Sequence, residues 1–168
     1  MKKRLLMLWT FLLCMVGGMS AEEVMLDFTS TDEITAMGFA LPAVGTGTDI
    51  TNSFTYKNIT ITPYIGGTTN VRIWNSNGNY SLRYYKDGGA IEIAAPDGNK
   101  LTQIVITGDS QLANTTVDKG TATMSNSNKT LTWAPSTDAT ETQVKFTNGG
   151  GKTTVVNTIT TRVRDNFV

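Results

Sequence analysis

Beyond residue 23 the apolar residues come in short bursts that alternate one for one with polar ones, not at the spacing of a helix. Successive side chains of a strand point to opposite faces, so a period of two marks half-buried β-strands. Threonine suits such a pleated surface, and the Asn and Gly clusters between the bursts suit tight turns. Residues 24–28, 54–56, 59–61, 71–74, 80–85, 90–94, 101–107, 131–133, 143–147 and 153–163 read as strands. About nine or ten strands at this spacing predict an all-β fold, a jelly-roll-like sandwich of two antiparallel sheets.

Several registers can be read as well. A turn at Lys57-Asn58 pairs Tyr56 with Ile59 and Phe54 with Ile61 on one face, and Thr55 with Thr60 on the other. Asp87-Gly88 predicts a second hairpin over residues 80–94, with Tyr84 opposite Ile91 and Leu82 opposite Ile93. On its reverse face Arg83 is expected to meet Glu92 as an opposite-charge pair. Ala95-Pro96-Asp97-Gly98 reads as a turn, because Pro presets φ and Gly accepts a positive one. Ile104-Val105-Ile106 then predicts a strand covered on both faces. Asn126-Ser127-Asn128 and Asn148-Gly149-Gly150-Gly151 supply later turns, and Val155, Ile159 and Val163 are expected to share a face. Ser30 followed by Glu33 fits a capping box and Gly38 can end the turn, so one short helix is expected near the N-terminus. Residues 45–51 are the expected mobile loop.

The first 21 residues stand apart. Met1-Lys2-Lys3-Arg4 is basic, residues 5–16 are apolar except for Thr10, and Gly17-Gly18-Met19-Ser20-Ala21 supplies small residues. That order is the pattern of a secretory signal peptide, with the cut after Ser20 or Ala21. The apolar run spans about 18 Å as a helix, short of the ~30 Å hydrocarbon layer, so stable membrane insertion of the mature chain is not expected. The expected location is outside the cytoplasm: periplasmic, cell surface or extracellular. Residues 22–168 read as a single domain, long enough to bury its own core.

Cys14, the one cysteine, falls inside the apolar run, so the domain is expected to carry neither disulfide nor lipid anchor. Basic and acidic residues balance at 14 each, and loss of Lys2, Lys3 and Arg4 leaves the remainder acidic by three. Dispersed, weakly acidic charge gives no electrostatic footprint for nucleic acid.

The chain has no histidine, which removes Ser-His-Asp and Cys-His nucleophilic sites. With cysteine confined to the leader, the usual zinc and copper ligands are gone too, and no metal or cofactor is expected. An oxygen-ligated Ca²⁺ site stays open on composition, although Asp87, Asp97 and Asp109 are isolated and read as turn residues. Carboxylate-pair chemistry, as in glycoside hydrolysis, needs two acids facing each other across a cleft. Most acids here have structural work: Glu33 in a cap, Asp87 and Asp97 in turns, Glu92 across a strand pair. The reading is a non-catalytic module, with a glycoside-active enzyme or its accessory subunit, and a structural spacer domain, as the alternatives.

Residues 71–85 are the richest stretch: an aromatic strand end, an Asn/Gly loop and further aromatics. Flat rings can stack on the apolar face of a pyranose while Asn and Arg meet its hydroxyls. Trp74, Asn75, Asn77, Arg83 and Tyr85 are therefore the candidate ligand-binding residues. Trp74, Tyr80 and Tyr84 share parity with core-facing Leu82 or sit at a strand end, and so read as core packing ahead of ligand contact, whereas Tyr85 points to the opposite face.

The same stretch carries a resemblance. Arg72-Ile73-Trp74 through Gly78 and Leu82-Arg83-Tyr84-Tyr85, then Ile91-Glu92-Ile93, Ala95-Pro96-Asp97-Gly98 and Ile104-Val105-Ile106, resemble a β-sandwich module of secreted and surface proteins of Bacteroidota. Leu26-Asp27-Phe28-Thr29-Ser30, Ala36-Met37-Gly38-Phe39 and Val144-Lys145-Phe146 are similar too. The resemblance implies an adhesion-like or carbohydrate-associated domain, binding glycan or a surface protein, with no shared catalytic residue. Longer members carry more; here the expectation is a chain running to Val168 without an appended catalytic domain or sorting segment.

Overall fold

The computed structural model describes residues 22–136 and 141–165. The expected signal peptide, residues 1–21, lies outside the described residues. The chain forms β1 (Glu22–Asp27), helix α1 (Thr31–Ala36), β2 (Gly47–Ile50), β3 (Phe54–Tyr56), β4 (Ile59–Tyr64), β5 (Val71–Ser76) and β6 (Asn79–Tyr84). There follow β7 (Ala90–Ala94), β8 (Asn99–Gly108), a 3-10 turn at Ser110–Asn114, β9 (Thr115–Val117), β10 (Thr121–Ser125) and β11 (Thr130–Ala134). β12 (Gln143–Asn148) and β13 (Thr154–Asp165) complete the described elements.

The strands form two antiparallel sheets, as the alternation predicts. The larger runs β10-β11-β8-β13-β6-β5-β2, with β1 beside the far half of β13; the smaller runs β3-β4-β7-β12-β9. From β6 the chain crosses to the other sheet at β7, β8, β9, β10, β12 and β13 in turn, a jelly-roll-like winding. One apolar layer fills the space between, with Phe28, Leu82, Tyr84, Trp133 and Phe146 fully buried. Buried aromatic polar atoms find partners: Trp133 Nε1 donates to Lys119 O at 2.7 Å, and the Tyr84 hydroxyl pairs with that of Thr115 at 2.8 Å.

The 54–61 hairpin has the expected register, Phe54 with Ile61, Thr55 with Thr60 and Tyr56 with Ile59. α1 is capped by Ser30, whose Oγ accepts from Glu33 N at 3.3 Å, and the chain leaves it at Gly38 with φ 91°. The reciprocal half of a capping box is absent, because the Glu33 carboxylate instead holds Lys57 at 2.7 Å.

Five expectations are corrected. Asp87-Gly88 does form a turn, at φ 63° and 88°, but the strands it joins lie in different sheets. β6 instead pairs β5 through the tighter Asn77-Gly78 turn, while Ile91 and Ile93 pair with Pro63 and Ile61 of β4. Arg83 therefore lies opposite Arg72, and Glu92 opposite Thr62 and Lys145. Alternation satisfies a hairpin and a sandwich crossing equally, which is why the pattern alone chose the wrong one.

Val155 faces outward while Ile159 and Val163 are buried, since a bulge between Val156 and Thr158 reverses the parity of β13. Val105 is half-buried on the outer face, so β8 is covered on one side only. Residues 45–51 are not a loop throughout: β2 pairs Gly47 with Trp74 and Ile50 with Val71. β2, β9 and β10 are the strands not expected from the sequence, all three short and poor in large apolar residues. Among the described residues no helix is long and apolar enough to cross a membrane.

Candidate functional site

Strand alternation on β5 sends Val71, Ile73 and Asn75 into the core and leaves Arg72 and Trp74 outside. On β6 the register sets Arg83 opposite Arg72 and Ser81 opposite Trp74. Like charges directly opposite one another repel, and the structure resolves this diagonally. Arg83 swings over the Trp74 ring, its guanidinium carbon 4.8 Å from the centroid. Arg72 lies over Tyr85 at 5.5 Å and is held from behind by Asp49 of β2 at 2.8 Å. Asn70 Nδ2 donates to the other Asp49 oxygen at 3.0 Å.

The result is a small outer face of two rings and two guanidiniums in cation–π contact. Gly47 makes room for it, because a Cβ there would stand 2.6 Å from Arg72 Cδ and 3.1 Å from the Trp74 ring. The packing leaves polar atoms short: Nε of Arg72 and Nε of Arg83 are both buried without a hydrogen-bond partner. Burial lowers the Arg83 pKa, with Tyr85 and Asp109 acting the other way. Burial likewise raises that of the Tyr85 phenol, against the pull of Arg72 and Arg83.

Tyr85 also lines a cleft of about 430 Å³ at this end of the sandwich. Three loops build it: Gly66, Thr68 and Thr69 between β4 and β5, Tyr85, Lys86 and Asp87 between β6 and β7, and Gly151, Lys152 and Thr153 between β12 and β13. The loops are fastened through backbone. Gly67 N donates to Asp87 O at 3.1 Å, and a Cβ on Gly66 would meet Lys86 O at 2.5 Å, so the first two loops touch main chain to main chain. Asn148 fixes the third, donating to Lys152 O at 2.7 Å and accepting from Gly150 N at 2.9 Å. The lining residues thus include two lysines, one aspartate, three threonines and Tyr85.

Of the sequence-predicted residues, the structure brings together Trp74, Arg83 and Tyr85. Trp74 is outside the core, contrary to its expected packing role, whereas Tyr84 is buried and Tyr80 packs against the core as expected. Asn75 is 3% exposed, and its side chain is spent on Pro42 O, the Tyr80 hydroxyl and Gly78 N. Asn77 sits exposed at the turn, at the opposite end of the β5–β6 hairpin from Tyr85. Sequence reasoning missed Arg72 and Asp49, although Arg72 shares parity with Trp74 on one strand and was readable. Lys86, Lys152 and the threonines meet only through the crossing of sheets, which no local pattern announces. Comparison with protein-family models, curated proteins and solved structures finds no match to this chain.

Proposed function

We propose that the chain is an exported, non-catalytic binding module, acting at the cell surface or outside the cell, and that its ligand is a glycan. The observation that carries this reading is the position of Tyr85, a half-buried ring flanked by two arginines on one side and a hydroxyl-lined cleft on the other. A sugar has both an apolar face for a ring and hydroxyls for Thr, Lys and Asp. The volume lies within the ~300–1,000 Å³ common for ligand pockets. Of the acids among the described residues, Asp87 is the one that lines the cleft, and its Lys86 neighbour stands 3.9 Å away. The resemblance to the Bacteroidota surface module points the same way.

Affinity electrophoresis of the full chain through gels of mannan, xylan, dextran, polygalacturonate and chondroitin sulfate tests the reading. Retardation by at least one polymer is expected, with Tyr85→Ala abolishing it while the melting curve stays in place. No retardation by any polymer, or retardation untouched by Tyr85→Ala, would overturn it.

A further inference from the structure

The charge around Tyr85 is not balanced. Arg72 has a carboxylate at 2.8 Å, but among the described residues Arg83 and Lys152 form no ion pair. Arg83 is the more unusual of the two. Its guanidinium is half-buried against Trp74, its Nε has no partner, and the residue directly across the strand pair is another arginine. A cation drawn out of water costs free energy unless an anion or an acceptor meets it. Asp87 stands 3.9 Å from Lys86 with both side chains mostly exposed, at 59% for the lysine and 65% for the acid, so this loose pair leaves the Lys86 ammonium open to a ligand. Lys152, on another loop of the same cleft, is exposed and likewise open to a ligand.

We infer that the glycan held in this cleft is an acidic one, a carboxylate- or sulfate-bearing saccharide. Its ring packs beside Tyr85, and its anionic group is met by Lys152 and Lys86, with Arg83 behind Tyr85 setting a positive field. This inference rests on the glycan reading above and narrows it. The chemistry follows from the residue types. Lysines reach an anion from flexible stems without demanding one geometry, so a carboxylate and a sulfate are both accommodated. The guanidiniums, committed to the aromatic rings, act as fixed charge more than as a bidentate fork.

Matched polymer pairs separate charge from sugar. The full chain is run against polygalacturonate and its fully methyl-esterified form, and against dextran sulfate and dextran, at low and high salt. Tighter binding of the charged member by about tenfold or more is expected, on the scale of one charged hydrogen bond. The preference should shrink as salt rises. Lys152→Gln with Lys86→Gln should bring the charged polymer down to its neutral partner, with the melting temperature unchanged because both lysines are exposed. Preference for polygalacturonate alone identifies carboxylate as the recognised group, and preference for dextran sulfate alone identifies sulfate. Equal binding within each pair overturns the inference and leaves the glycan reading standing. Charge preference that survives the double lysine variant also overturns it, as ion exchange elsewhere on the surface. No binding of these or of any polymer in the first panel overturns both.

Discussion

The outer face of the large sheet has two parts that share one sheet and one core yet differ in kind. Across β10, β11, β8, β13 and β1 it is laid with threonine in ranks: Ser125, Thr130, Thr107, Thr158 and Asp27 stand side by side, and beside them Thr123, Thr132, Val105, Thr160 and Met25. Three of the hydroxyls there meet protein partners: Thr107 and Thr158 pair at 2.6 Å, and Thr123 donates to Thr132 O at 3.3 Å. Across β2, β5 and β6 the same face carries Asp49, Arg72, Arg83 and Trp74, with two buried guanidinium nitrogens unpartnered. Among the described residues, no buried polar side-chain atom on the outer face of this first part lacks a partner, which makes it a finished surface. Incomplete pairing, beside a cleft, makes the second the place to look for a ligand.

If that difference belongs to the outer face alone, the core beneath the two parts should behave alike. Leu82 lies under the arginine–aromatic part and Ile106 under the threonine part, both fully buried. Leu82→Ala and Ile106→Ala should each cost about 2–5 kcal/mol in urea unfolding, the usual range for such truncations. A cost for one well below that range would show the asymmetry reaching into the core and would break the comparison.

A smaller effect is expected on the outside. Gly47→Ala drives a Cβ into Arg72 and the Trp74 ring, and overpacking of that kind costs about 1–3 kcal/mol. Ser125→Ala, at the exposed end of the threonine ranks, should stay within about 0.5 kcal/mol. Thermal melts of the two variants check this. Equal, negligible losses would mean that the arginine–aromatic cluster is loose and not built.

Much of the fold was legible because strands announce themselves by alternation and turns by Asn, Asp and Gly. The 54–61 register could be read because a two-residue turn leaves one pairing open to its strands. The five-residue link at 85–89 did not have that property, and its Asp-Gly turn served a crossing between sheets. The bulge at Asn157 was equally invisible, since one extra residue inverts a face without changing composition. Tyr85 was found from parity, but the cleft it lines depends on three loops separated by up to about 85 residues, brought together only by the topology.

The finest distinction between the two parts concerns the threonine pair itself. Thr107 and Thr158 sit opposite each other on β8 and β13, half-buried, with hydroxyl oxygens 2.6 Å apart. Valine matches threonine in shape and in β-branching, so Thr→Val changes the hydrogen bond with little change in strand preference. Thr107→Val alone strands the Thr158 hydroxyl and should cost about 1 kcal/mol. The double variant, Thr107→Val with Thr158→Val, leaves neither group unpaired and should return to within about 0.5 kcal/mol of the parent. A double-mutant cycle by urea unfolding reads this coupling directly. Costs that simply add would mean that water already serves each hydroxyl separately. The threonine ranks would then be a solvated face, and the contrast with the arginine–aromatic part would rest on charge alone.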